Sequence, residues 1–128
     1  MDLNQLTLPS KDVAKSVAFY KKLGLNLIVD SIPRYARFEC PNGQSTFSLH
    51  HSAEFSTDSG IWVYFELNKL DSTVNSLIEQ GVVFDELPND KEWGWRESRL
   101  KDPDGHQLIL YHAGEYRKNP PWRVEMET

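Results

Sequence analysis

The sequence predicts an α+β chain built from one βαβββ module used twice in tandem, its strands forming a curved mixed sheet or open barrel with the helices outside. Three observations predict it. Two stretches with the alternation of a half-buried strand each run directly into an amphipathic helical stretch closed by glycine. Their register repeats: Gln5 to Trp62, Leu6 to Val63, Leu8 to Phe65, Val17 to Val74 and Gly24 to Gly81 are each 57 positions apart. The hairpins repeat as well, with Arg37 to Arg99, Phe38 to Leu100 and Gly43 to Gly105 separated by 62, and Phe47 to Leu108 and Leu49 to Leu110 by 61. A shift of one residue inside the hairpin reconciles those spacings.

In order, Leu6 and Leu8 alternate with Gln5 and Thr7 as a first strand. Ser10 or Asp12 can cap the helix that follows, whose apolar side is Val13, Val17, Phe19, Tyr20 and Leu23. Gly24 ends it, and Leu25–Val29 is extended. Tyr35–Glu39 alternates again, Pro41-Asn42-Gly43 turns, and Thr46–His51 returns. The second copy has a strand at Trp62–Leu67, a helix at Leu70–Glu79 ended by Gly81, an extended Val82–Phe84, a loop at Pro88–Arg96, and strands at Arg96–Leu100 and Leu108–His112 around the turn Pro103-Asp104-Gly105. The modules therefore span about 1–55 and 60–112 of a single domain, divided by the polar stretch Ser52–Gly60. The tail, 113–128, holds Pro120-Pro121, Tyr116 and Trp122 and is expected to be extended and packed.

Composition narrows the classes of function. With 128 residues, 39% hydrophobic and 26% charged, the chain suits one ordinary globular domain. A net charge of −5 without a basic stripe argues against nucleic acid. Apolar runs are too short for a bilayer span, and the first residues lack the basic start and apolar stretch of a secretion signal. The single cysteine, Cys40, has no internal partner for a disulfide. These features favour a cytoplasmic protein.

Strand parity assigns one face of the sheet to the helices and the other to Gln5, Thr7, Tyr35, Arg37, Glu39, Ser48, His50, Trp62, Tyr64, Glu66, Glu97, Arg99, Ile109 and Tyr111. So many polar and aromatic groups suit a trough for a small molecule better than a core. Trp93 and Trp95 flank Gly94 in the loop before the last hairpin and can close over such a trough. Arg37 and Arg99 occupy matching places; they can clamp a ligand carboxylate or phosphate, or pair internally with Glu97 and Glu39. Glu66 and His50 are the candidate general bases.

Three stretches carry a family resemblance: LPSKDVAKSVAFYKKLGL at 8–25, with Asp12, Ser16, Phe19-Tyr20 and Leu23-Gly24; the strand and helix at 65–81; and the closing Asp102-Pro103-Asp104-Gly105-His106 turn. Over residues 3–112 the chain resembles the vicinal-oxygen-chelate superfamily of glyoxalases, bleomycin-resistance proteins and extradiol dioxygenases. The resemblance implies the glyoxalase-like fold and, by analogy, a homodimer. In metal-dependent members four inward side chains hold one divalent ion. Their slots here are Gln5, Ser48, Trp62 and Ile109, of which Trp62 and Ile109 cannot ligate. A divalent ion at Gln5 and His50, with Glu66, is the alternative. The expected reading is a glyoxalase/bleomycin-resistance-like protein that binds a small molecule with no metal or other cofactor. Gln5, Tyr35, Arg37, Trp62, Tyr64, Trp93, Trp95, Arg99 and Tyr111 are its ligand-binding residues. The competing reading is an enzyme, a glyoxalase-like lyase or isomerase or an extradiol-type dioxygenase, with Glu66 and His50 catalytic.

Overall fold

The computed structural model describes residues 1–125; Met126–Thr128, the end of the expected packed tail, lie outside the described residues. The elements are β1 (Gln5–Ser10), α1 (Val13–Lys22), β2 (Asn26–Ser31), β3 (Tyr35–Glu39), β4 (Thr46–His51), β5 (Trp62–Glu66), α2 (Leu70–Glu79), β6 (Glu86–Asp90), β7 (Arg96–Lys101), β8 (Gln107–His112) and a 3-10 helix at Gly114–Arg117. They form two four-stranded sheets ordered β1-β4-β3-β2 and β5-β8-β7-β6. In each, the opening strand runs parallel to the closing one, and the other pairings are antiparallel. This is the βαβββ module used twice. By contacts the chain divides into two compact units, residues 1–61 with 102–106, and residues 62–101 with those from 107 onward.

In the first unit, the Asp12 carboxylate accepts a 3.1 Å hydrogen bond from the Lys15 amide and so caps α1. Gly24, at φ +102°, takes the chain out of the helix in a conformation that side-chain-bearing residues avoid. Val13, Val17 and Tyr20 are buried, as are Phe38, Phe47 and Leu49 of the sheet. The rings of Tyr20 and Phe47 lie 4.5 Å apart and tilted, within the range in which aromatic pairs contribute to a core. A polar fastener sits beside this core. Tyr20 donates from its phenol to Asp102 at 2.6 Å, Ser16 donates to Asp104 at 2.9 Å, and a His106 ring nitrogen lies 2.8 Å from the Pro9 carbonyl.

In the second unit, Leu70, Val74 and Leu77 of α2 are buried, as are Leu100, Leu108 and Leu110. One element departs from the sequence pattern. The extended segment expected at 82–84 forms no strand, and β6 forms instead at Glu86–Asp90, running into the start of the stretch read as a loop. Pro88 hid it. Proline is excluded from central strands but tolerated on an edge strand at an irregularity, and β6 is the edge strand, with a register shift between Glu86 and Asn89.

The tail also departs from expectation. It turns into the 3-10 helix at once instead of running extended, and Trp122 is 60% exposed. Tyr116 is one of the residues that tie it down. A Cβ placed on Gly94 would fall 2.0 Å from the Tyr116 ring, so the ring rests directly on the glycine backbone. No helix among the described residues is long and apolar enough to cross a membrane.

Candidate functional site

The second unit carries the aromatic groups. Register sets them in rows across the sheet: Tyr64, Ile109 and Arg99 in one, Glu66, Tyr111, Glu97 and Asn89 in the next. Trp95 stacks on Tyr111 at 4.9 Å, and Tyr64 meets both rings edge-on, at 6.0 and 5.3 Å. Tyr111 and Ile109 are buried, with Trp95 packed against them, whereas Trp62 is 51% and Tyr64 39% exposed. An aromatic wall thus runs from a packed base to an open rim. Burial raises the phenol of Tyr111 above its ordinary value, with the Glu66 charge adding to it; burial and then the Glu97 charge do the same for Tyr64. Both phenols remain protonated donors at neutral pH.

Arg99 places its guanidinium 4.6 Å from the centre of the Trp62 ring and 3.5 Å from a Glu86 carboxylate oxygen. Glu86 also receives Lys91 and, at 2.6 Å, Asn89. The Lys91 and Asn89 bonds hold its carboxyl below the ordinary range. Sequence spacing had offered Glu39 to Arg99; the acceptor found is Glu86, on the edge strand that Pro88 concealed.

Glu66, read from sequence as a candidate general base, is otherwise engaged. Its Oε2 accepts the backbone N–H groups of Ala113 and Gly114 at 2.8 and 2.9 Å, and Arg117 lies 3.6 Å from Oε1. It anchors the first turn of the tail.

Glu97 is the residue whose situation sequence reasoning missed. It is 0% exposed. Its Oε2 accepts the indole N–H of Trp93 at 2.8 Å, while Oε1 is buried with no hydrogen-bond partner among the described residues. Parity put Glu97 on this face, but burial depends on the rings around it, which no local pattern encodes.

The first unit carries a polar chain. Arg37 Nε donates to the Tyr35 phenol at 2.9 Å, and that phenol lies 2.7 Å from the Ser48 hydroxyl, with either oxygen able to donate. Gln5 Nε2 donates to Ser48 at 2.9 Å and to Thr7 at 3.0 Å, and Gln5 Oε1 accepts from Thr46. Burial raises the Tyr35 phenol, but the Ser48 and Arg37 hydrogen bonds outweigh it and leave the group below its ordinary value. His50 is exposed beside Tyr35 in the register.

The residues in the four slots do not fit a divalent ion. The Ser48 hydroxyl is already shared between Gln5 and Tyr35, and the Gln5 carbonyl oxygen is taken by Thr46. Ile109 offers only hydrocarbon, and the Trp62 ring carries the Arg99 cation. Among the described residues, the cluster Asp102, Asp104 and His106 brings ligand-type atoms within 4.8 Å of one another. Its lone pairs hold the fastener together: besides Tyr20 and Ser16, the Lys11 amide binds Asp104, and the Asp104 and His106 amides bind Asp102, each at 2.9 Å.

Comparison with known proteins agrees with this architecture. Residues 2–110 match the family described as the glyoxalase/bleomycin resistance protein/dioxygenase superfamily. The uncharacterized protein YraH of Bacillus subtilis (strain 168) is 32% identical over 127 residues, covering 87% of this chain and 98% of its own. A glyoxalase/bleomycin resistance protein/dioxygenase from Nocardioides superposes with a TM-score of 0.76 at 23% identity, over 98% of this chain and 90% of its own. A bleomycin-binding protein solved in complex with bleomycin superposes with a TM-score of 0.68 at 21% identity, over 88% of this chain and 98% of its own. At such identities the two structures speak for the fold alone.

Proposed function

Because the chain belongs to the glyoxalase/bleomycin resistance protein/dioxygenase superfamily, we propose that it binds a small molecule carrying a planar group, held without a metal against the aromatic wall of the second unit. The observation that carries this reading is the graded exposure of that wall. Trp95 and Tyr111 form a packed base, while Trp62 and Tyr64 leave ring surface open at the rim. Stacking against such faces gives affinity for flat molecules of many kinds. The bleomycin complex of a protein with the same fold supports it. The ligand-type side chains of the metal slots are spent on one another or replaced by carbon and indole, which favours sequestration over metal chemistry.

Tryptophan emission provides the test. Saturable quenching by planar aromatic molecules, bleomycin among them, is expected, weakened at least about tenfold by Trp95→Ala. An absence of saturable quenching across such a panel would refute the reading. Native mass spectrometry of protein taken directly from cells would show the ligand as a co-purified mass and the proposed homodimer as a doubled one.

A second reading, a lyase or isomerase, is favoured by one observation: the Arg37–Tyr35–Ser48 chain, which leaves a phenol easier to deprotonate than usual. Tyr35 would then be the proton-transfer group, ahead of Glu66 and His50. Turnover of the methylglyoxal–glutathione hemithioacetal, abolished in Tyr35→Phe, would establish it.

A further inference from the structure

Resting on the aromatic wall as the binding site, we infer that Glu97 is the receptor for a cationic group of the ligand (an ammonium, amidinium or guanidinium) and that Trp93 is the gate covering it. A fully buried carboxylate is costly unless every lone pair is satisfied. Glu97 satisfies one oxygen with the Trp93 indole and leaves Oε1 without a partner. Arg99 is directed to Trp62 and Glu86, Arg96 to Asp71 and Asp90, Lys91 to Glu86, and Arg117 to Glu66. The position therefore holds an uncompensated acceptor beneath aromatic rings. A flat cation supplies what is missing: N–H donors for both oxygens and a positive charge for the surrounding ring faces.

Trp93 is built to move where its neighbours are not. It is 44% exposed although its indole N–H reaches a fully buried atom. The backbone beside it is fixed, with Gly94 against the Tyr116 ring and the Lys91 amide bonded to the Trp95 carbonyl at 2.7 Å. Rotation of the side chain alone uncovers Glu97, with no loop rearrangement. The arriving cation replaces the indole N–H on Oε2 and gives Oε1 its first partner.

Calorimetric titration with benzamidine, its neutral isostere benzamide, and benzoate tests the inference. Wild-type protein is expected to bind benzamidine at least about tenfold more tightly than benzamide, and benzoate least. Glu97→Gln should bring benzamidine and benzamide within about twofold of each other, through the loss of benzamidine affinity. Trp93→Phe, which keeps a ring but removes the N–H, should tighten benzamidine several-fold. Equal wild-type affinities for benzamidine and benzamide would overturn the cation receptor and leave the aromatic wall standing. Failure of all three probes to bind would remove the wall and this inference together. The wild-type comparison decides the matter even if Glu97→Gln does not fold.

Discussion

The Tyr20 phenol donates a 2.6 Å hydrogen bond to Oδ2 of Asp102, joining the buried side of α1 to the turn between β7 and β8. Both residues are buried. Burial raises the Asp102 carboxyl above its ordinary value, while the bonds from Tyr20, His106 and Asp104 pull it back down. Tyr20→Phe removes one of the groups that stabilise the charged form. At pH 7 the loss is expected to be about 1–3 kcal/mol, because a buried carboxylate keeps its charge but loses a donor. The pH dependence has a definite sign. A carboxyl whose folded pKa lies above its unfolded value of about 3.9 favours folding most fully below that value, and the benefit is lost as pH rises through the folded pKa. The variant's deficit should therefore shrink as pH falls into that window, where Asp102 is neutral and the lost bond is weaker. Urea denaturation at pH 7 and pH 4 measures it; equal deficits would mean that Asp102 is not the charged partner.

Gly94 predicts a second effect. It combines φ +89° with a Tyr116 ring atom 2.0 Å from where a Cβ would stand. Gly94→Ala must strain the backbone and displace the ring, for an expected loss of about 1–3 kcal/mol in urea denaturation. The displaced tail should become susceptible to trypsin at Arg117 and Lys118. Combining Gly94→Ala with Tyr116→Ala should cost less than the sum of the single changes, because the clash is counted once. Strict additivity would show that the ring does not rest on the glycine.

These contacts mark how far the sequence could be read. Strand alternation, helix periodicity and the paired Gly24 and Gly81 are local, and they place β3, β4 and α2 at the residues found. Pro88 misled because a proline inside a strand is permitted only at an edge, and edge position is a property of the finished sheet. The site shows the same division. Parity placed Tyr64, Glu97, Arg99 and Tyr111 on one face, but the partners of Arg99 and Glu97 are Glu86 and Trp93, supplied by the edge strand and the following turn. Glu66 looked available because its acceptors' needs are met by amides of a tail that carries no repeat of its own.

Metal analysis gives a third prediction. Protein purified without chelators and measured by inductively coupled plasma mass spectrometry should contain well under one divalent ion per chain. The reason is chemical: the Gln5 and Ser48 oxygens are engaged by Thr46, Tyr35 and each other, and Trp62 and Ile109 have no lone pair to offer a metal. A stoichiometric ion lost in Gln5→Ala or His50→Ala would overturn this and restore the metal-dependent chemistry of the family as the leading account.

Glu66 provides the fourth. Its Oε2 holds the Ala113 and Gly114 amides, two donors of the kind that a helix start leaves unsatisfied. Glu66→Gln retains an acceptor oxygen and loses the charge near Arg117, so a loss of under about 1 kcal/mol is expected. Glu66→Ala removes the acceptor entirely and should cost about 1–2 kcal/mol, in the range of a lost helix cap. Hydrogen exchange resolves the effect residue by residue: the Ala113 and Gly114 amides should exchange faster in Glu66→Ala, with those of β5 and β8 little changed. If Glu66 were a general base instead, Glu66→Gln would eliminate turnover while leaving those two amides protected. The two roles are thus separated by a variant that keeps the oxygen and removes the charge.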